Sequence, residues 1–432
     1  MDLVLRGDRV LIDGEVRPGS VAVDGGMIVA VGSREADYGG VDVVDIPAPA
    51  ALLPGFVDTH VHVNDPGTSW EGFATATAAA AAAGITTVVD MPLDSDPVTT
   101  SVEALRVKEA AAAGHCHVDV RYWAGVVPGN GGELASLAEA GVLGFKCFLS
   151  ESGNPNFAHL SPAQFVEAAQ RVADLDSILL VHAESHAVLA TTPGPAGGRY
   201  DTFLQSRPDE AEVDAVTLAV DAARSTGARV HIVHVSSAQT LGIIAEAKRS
   251  GLAVTAETCP HYLTFTAETV PEGATEFAAC PPIRSSANRE QLWAGLANAT
   301  IDMVVSDHSP CAPELKGGSD FGVAFGGISS LQLGPRAVWT QSRGRGFGLS
   351  DLSRWMSANP AAMAGLDDRG SIAVGRRADL CVFDPDVSDV VRGADLLHRH
   401  GLTPYDGTTL RGGVLRTWVA GRSVYHRAEV TV

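Results

Sequence analysis

Basic residues are scarce in this chain. Thirty-one lysines and arginines stand against 51 acidic residues, a formal net charge of −20. Nucleic acid and anionic membranes both require a basic face, so neither is expected as a partner. Long apolar runs are also missing. The stretch Ala78–Ala83 is short and alanine-rich, far from the roughly 20 residues that a membrane-spanning helix needs. The six cysteines (Cys116, Cys147, Cys259, Cys280, Cys311 and Cys381) contain no Cys-x-x-Cys pair. The N-terminus, Met1-Asp2-Leu3-Val4-Leu5-Arg6, opens into strand-like sequence without a signal-peptide pattern. Together these predict a reduced, cytoplasmic protein.

With 432 residues, 45% of them hydrophobic, the chain can bury one large core and a smaller one. The most informative segment is Pro54-Gly55-Phe56-Val57-Asp58-Thr59-His60-Val61-His62, an apolar run closing on two histidines two residues apart. Alternate strand residues point to one side, so His60 and His62 can share a metal ion. A lone His-x-His would be weak evidence. Further apolar runs, however, carry Lys146, His182, His234 and Asp307 near their ends, and strand ends converge on one face of a parallel barrel.

From Leu52 onward, strand-like segments near 53–63, 85–92, 117–126, 142–149, 177–184, 229–236, 253–263 and 301–310 alternate with helical stretches. Among the latter are Trp70–Ala83, Val102–Ala113, Pro208–Thr226 and Ala238–Ser250. Eight such units predict an α/β fold, a (β/α)8 TIM barrel over residues 53–369. Residues 1–52 and 370–432 alternate with a period of two, which predicts a small β-sandwich domain assembled from both termini.

The ordered set His60-x-His62, Lys146, His182, His234 and Asp307, with the two-ended β domain, resembles the amidohydrolase superfamily in its cyclic-amidase branch of dihydroorotases, hydantoinases and allantoinases. The resemblance covers nearly the whole chain. The blocks His62-Val63-Asn64-Asp65-Pro66-Gly67, Asp90-Met91-Pro92-Leu93, Ser306-Asp307-His308-Ser309-Pro310-Cys311 and Gly326-Gly327-Ile328-Ser329-Ser330 are most similar to those of the allantoinase family.

A cyclic amide is a poor electrophile and water a poor nucleophile. Two divalent ions about 3.5–4 Å apart can polarise the one and activate the other. The resemblance implies such a pair, most readily Zn2+, with Co2+, Mn2+ or Ni2+ as alternatives. His60, His62 and Asp307 would hold one ion and His182 and His234 the other. Lys146, carboxylated on its amine by carbon dioxide, would bridge them. Asp307 would also carry the proton from the attacking water to the leaving nitrogen. His261 and His308 are expected to support the site, His231 to be structural, and Cys147 and Cys311 to pack.

Dihydroorotases place an arginine two residues after the second histidine, where this chain has Asn64, and hydantoinases a tyrosine five residues after the lysine, where it has Glu151. An uncharged substrate with a hydrogen-bonding ureido group, as in allantoin, suits both departures. The resemblance places candidate substrate contacts at Asn64, Ser150, Cys280 and Gly326, and implies a homotetramer. A hydantoinase or dihydropyrimidinase, and a catalytically inert assembly paralogue, are the alternative readings. The roles of Asp94 and Glu151 stay open.

Overall fold

The computed structural model describes residues 1–39 and 42–427. Eight parallel strands form the barrel: Phe56–Val61, Ile85–Asp90, Asp119–Tyr122 continuing as Ala124–Gly125, Phe145–Phe148, Ile178–His182, Arg229–Ile232, Val254–Thr258 and Met303–Val304. Each pairs with the next in chain order. The ring closes where Val61 bridges His308 and the His62 N–H donates to the His308 carbonyl at 2.8 Å.

Side-chain alternation builds the layers. On the fourth and fifth strands, Phe145, Cys147, Leu179 and Val181 join the cluster that packs against helices such as Val102–Ala112, Pro162–Asp174 and Asp209–Thr226. The alternate residues Phe148 and Leu180 fill the barrel interior with Val57, Trp123 and Met303. The helix ends follow their sequence signals. Ser161 and Gln164 form a reciprocal capping box before Pro162, and Gly227, at φ 73°, ends the helix Asp209–Thr226 in the left-handed conformation that costs glycine least.

The termini share one eight-stranded sheet, in which Ala51–Pro54 lies between Leu3–Ile12 and Leu380–Val390. Its two ends curl toward each other, because the Gly26 turn meets Ala420, and Val21, Leu52, Leu380 and Trp418 share the enclosed apolar cluster. The arrangement is the expected α/β barrel with a small sandwich drawn from both termini. No described helix is long and apolar enough to cross a membrane.

Several expected strands are shorter than their apolar runs, the one near 301–310 most of all, with only Met303–Val304 extended, and two further differences have a clear cause. The helix expected from Trp70 starts at Phe73, because buried Glu71 bonds to His308, Thr75 and the Arg399 N–H and pulls its segment into a loop. The strand expected over 253–263 ends at Thr258, and Pro260 starts a short helix, a position where its missing N–H costs nothing.

Candidate metal centre

The strand ends open into a cavity of about 590 Å³ that is lined by His60, His62, Lys146, His182, His234 and Asp307. His60 lies on the first strand and His62 one residue past it; Lys146 is on the fourth, and His182 ends the fifth. His234 and Asp307 follow the sixth and eighth, both at positive φ, 38° and 44°. Non-glycine residues seldom adopt that backbone, and it persists where surrounding structure holds it in place.

Two donor groups emerge. The Asp307 Oδ1 lies 3.2 Å from His60 Nε2 and 3.5 Å from His62 Nε2. On the other side, His182 Nδ1 and His234 Nε2 face each other at 3.0 Å. Buried polar atoms normally make hydrogen bonds, yet His60 Nε2, for all its closeness to Asp307, and Lys146 Nζ make none. Zinc-type ligand atoms on a single ion sit about 3.3 Å apart, so both spacings, and the unpartnered atoms, fit a first-row cation.

Charge is arranged accordingly. Burial lowers the pKa of His60, His182 and His234, which keeps their lone pairs available. Burial would raise the Asp307 carboxyl, but His60, His62 and His234 hold it well below the usual carboxylate range. The Lys146 ammonium, buried 4.9 Å from the Phe148 ring centre, is pushed down to about 8 by desolvation, against the pull of Asp307 and Glu257.

Three supports escape the sequence reading. Glu257, on the seventh strand, accepts from His60 Nδ1 at 2.5 Å and His231 Nε2 at 2.9 Å, which turns His60 Nε2 toward the cavity. Glu184 takes His182 Nε2 at 2.7 Å and pairs with Arg207. Asp58, pushed up to about 7 by burial, accepts backbone N–H groups from His60 and Ser306 and so ties the first strand to the eighth. The signal for each was a carboxylate inside an otherwise apolar strand or just past its end.

The remaining candidates separate. Ser150, Cys280 and Gly326 line the cavity, as do Asp94 and Glu151; Asn64 does not. Asn64 is buried, and its amide donates to the Pro310 carbonyl at 3.0 Å. His261 is buried, with both ring nitrogens unpartnered and a donor atom within 4.8 Å of Asp307. His308 accepts from the Ser330 N–H at 3.1 Å and bonds Glu71 at 3.1 Å, so both its ring nitrogens are engaged away from the cavity. His231 spends its rings' nitrogens on Thr255 and Glu257. Cys147 is buried among apolar neighbours.

Comparison with known proteins gives the family. The chain is 49% identical to an allantoinase of Streptomyces avermitilis, an alignment spanning 100% of this chain and 97% of that one. It is 41% identical to an allantoinase of Saccharomyces cerevisiae, over 98% and 95%. The fold superimposes on an L-hydantoinase (dihydropyrimidinase) of Arthrobacter aurescens with a TM-score of 0.92 at 28% identity, covering 100% and 97% of the two chains. Residues 51–424 match the amidohydrolase family, and the chain belongs to that family.

Proposed function

We propose that this enzyme hydrolyses the hydantoin ring of allantoin to give allantoate, the ring-opening step of purine breakdown. The observation that carries the reading is the convergence of six metal-compatible residues on the floor of one cavity, in a chain that aligns end to end with allantoinases. An assembly role has no use for such a set.

His60, His62 and Asp307 would hold one divalent ion and His182 and His234 a second, with Zn2+ the natural choice and Co2+, Mn2+ or Ni2+ workable. Bound there, the pair would supply Lewis acidity to the ring carbonyl and acidify a water molecule. Lys146 would serve both as a carbamate: its neutral amine forms an N–C bond to carbon dioxide and releases one proton. Burial favours the neutral amine.

Asp307 is the proton carrier. Its carboxylate is ionised at neutral pH, is held by the Ser309 hydroxyl at 3.0 Å, and can take a proton from the attacking water and return it to the leaving ring nitrogen. The cavity wall selects an uncharged ring. The Ser150 hydroxyl is buried without a partner and is free to meet a ureido group. The Arg207 guanidinium on the same wall is neutralised by Glu184, which leaves a substrate carboxylate without a cation.

The close superposition on a hydantoinase favours, as the second reading, a 5-substituted hydantoin or dihydropyrimidine. Specificity constants for allantoin, 5-substituted hydantoins, dihydrouracil and dihydroorotate decide between them. Allantoin should exceed dihydroorotate by roughly thirtyfold or more, the value of about 2–5 kcal/mol for a missing charge partner. A higher constant for any of the others overturns the assignment. The same reading implies a cytoplasmic location and a homotetramer, and light scattering on the purified protein would test the tetramer.

A further inference from the structure

A second group of metal-capable side chains sits above the catalytic floor. Glu151, His159 and His186 each bring a ligand atom within 4.8 Å of the other two. The His159 and His186 rings stack with centroids 4.4 Å apart, and Glu151 Oε1 lies 4.0 Å from His159 Nδ1. None of the three is needed by the hydrolytic chemistry on the cavity floor.

The backbone holds the group together. His186 begins a short helix beyond the fifth strand, and its N–H donates to the Leu149 carbonyl at 3.1 Å, two residues before Glu151. The loop carrying His159 is fastened alongside by the Leu160 N–H, which donates to the Phe148 carbonyl at 2.9 Å. All three residues are thus anchored to the end of the fourth strand. Zinc-type ligand atoms sit about 3.3 Å apart on their ion. The Glu151 side chain is 78% exposed and can turn to close the remaining gap.

We propose that Glu151, His159 and His186 form a further site for a zinc-type cation at the cavity mouth, and that filling it narrows the substrate entrance. Two imidazoles favour Zn2+ over Ca2+ or Mg2+, which prefer oxygen ligands. Three protein ligands leave one position for water, so the site fills and empties from solvent. Glu151 and His186 also line the cavity. Pinning them to His159 therefore ties the loops after the fourth and fifth strands across its opening, and excess zinc should inhibit.

The test uses holoenzyme equilibrated with zinc chloride at rising free concentration. Elemental analysis gives zinc per chain, without any substrate. His159→Phe keeps an aromatic ring to stack on His186 but removes the donor nitrogens, and it should bind one zinc ion fewer than the parent. In parallel, each protein is inhibited by added zinc while turning over whichever cyclic amide it accepts, scored against its own uninhibited rate. The half-inhibiting zinc concentration should rise about tenfold or more in the variant, the equivalent of about 1.4 kcal/mol of lost binding. Glu151→Gln, altered only at an exposed side chain, repeats the test if His159→Phe folds poorly. Equal zinc content, or an unchanged half-inhibiting concentration, overturns the proposal. Failure on allantoin alone would not, because the zinc count is independent of substrate.

Discussion

Glutamine at position 257 should disable the metal centre without touching a ligand. Glu257 is fully buried and accepts from the rings of His60 and His231. Burial opposes its charge, yet those imidazoles hold its carboxyl well below the usual range. It therefore stands as an anion with two acceptor oxygens, and His60 keeps its proton on Nδ1 and its lone pair on Nε2. Glu257→Gln offers one oxygen and one NH2 group. If the NH2 meets His60, the ring must accept at Nδ1 and move its proton to Nε2, the atom facing the cavity, which then cannot bind a cation. If it meets His231 instead, that ring must move its proton to Nδ1 and donate to the Thr255 hydroxyl, which gives up the bond that hydroxyl now makes. Loss of such an outer partner typically costs 10- to 100-fold in metal affinity, about 1.4–2.7 kcal/mol, and an unmatched buried polar group costs a further 1–3 kcal/mol or so of stability. Competition for zinc against a chromogenic chelator measures the first, and a denaturant midpoint of the metal-free protein the second. A folded Glu257→Gln protein binding zinc within twofold of the parent would refute the reasoning.

Three more consequences can be checked. Asp307→Asn keeps a ligand oxygen but cannot carry a proton at neutral pH, so the metal-loaded variant should fold, retain much of its metal and lose about 10²–10⁴ in kcat, while His261→Asn loses far less; turnover within a fewfold of the parent would make Asp307 a ligand only. Lys146→Met should lose metal yet fold at least as stably in its metal-free form, because Lys146 Nζ has no partner there; elemental analysis and melting together decide this. The sign of the pH effect follows from the lowered Lys146 pKa. Its amine titrates near 8 when folded, against an ordinary lysine value of 10.5, so the unfolded chain binds more protons between those values. The burial cost, about 3 kcal/mol, is therefore present in full below pH 8 and vanishes as the pH rises toward 10.5. The stability gap between metal-free parent and Lys146→Met should close over that interval, and a gap independent of pH would contradict it.

Much of the barrel was legible because its strands are apolar runs of fixed spacing, and because His60, Lys146, His182, His234 and Asp307 sit at or near their ends. The carboxylates beneath the ligands were less visible. Glu257 pairs with residues 197 and 26 positions away, and no local pattern announces a contact that only barrel closure creates. Periodicity also ran past true strand ends: Thr258 to Leu263 looks extended in sequence, but Pro260 turns the chain into a helix. The expectation that Asn64 meets substrate came from the family resemblance, in which dihydroorotases carry an arginine at that position. In the fold its backbone turns to φ 58° and its amide reaches Pro310, which directs the side chain away from the cavity lining. His308, expected from sequence to support the site, does so with both ring nitrogens engaged, by Ser330 and Glu71.

The most direct test of the central claim is allantoin turnover as a function of metal content. Metal-stripped protein is supplied with bicarbonate and increasing zinc, and allantoate is quantified against zinc bound per chain. Activity should be absent at zero metal and climb until the two ions of the cavity floor are in place, with intact-mass analysis showing carbon dioxide added at Lys146. Full allantoate production by protein shown to hold no metal would contradict the account.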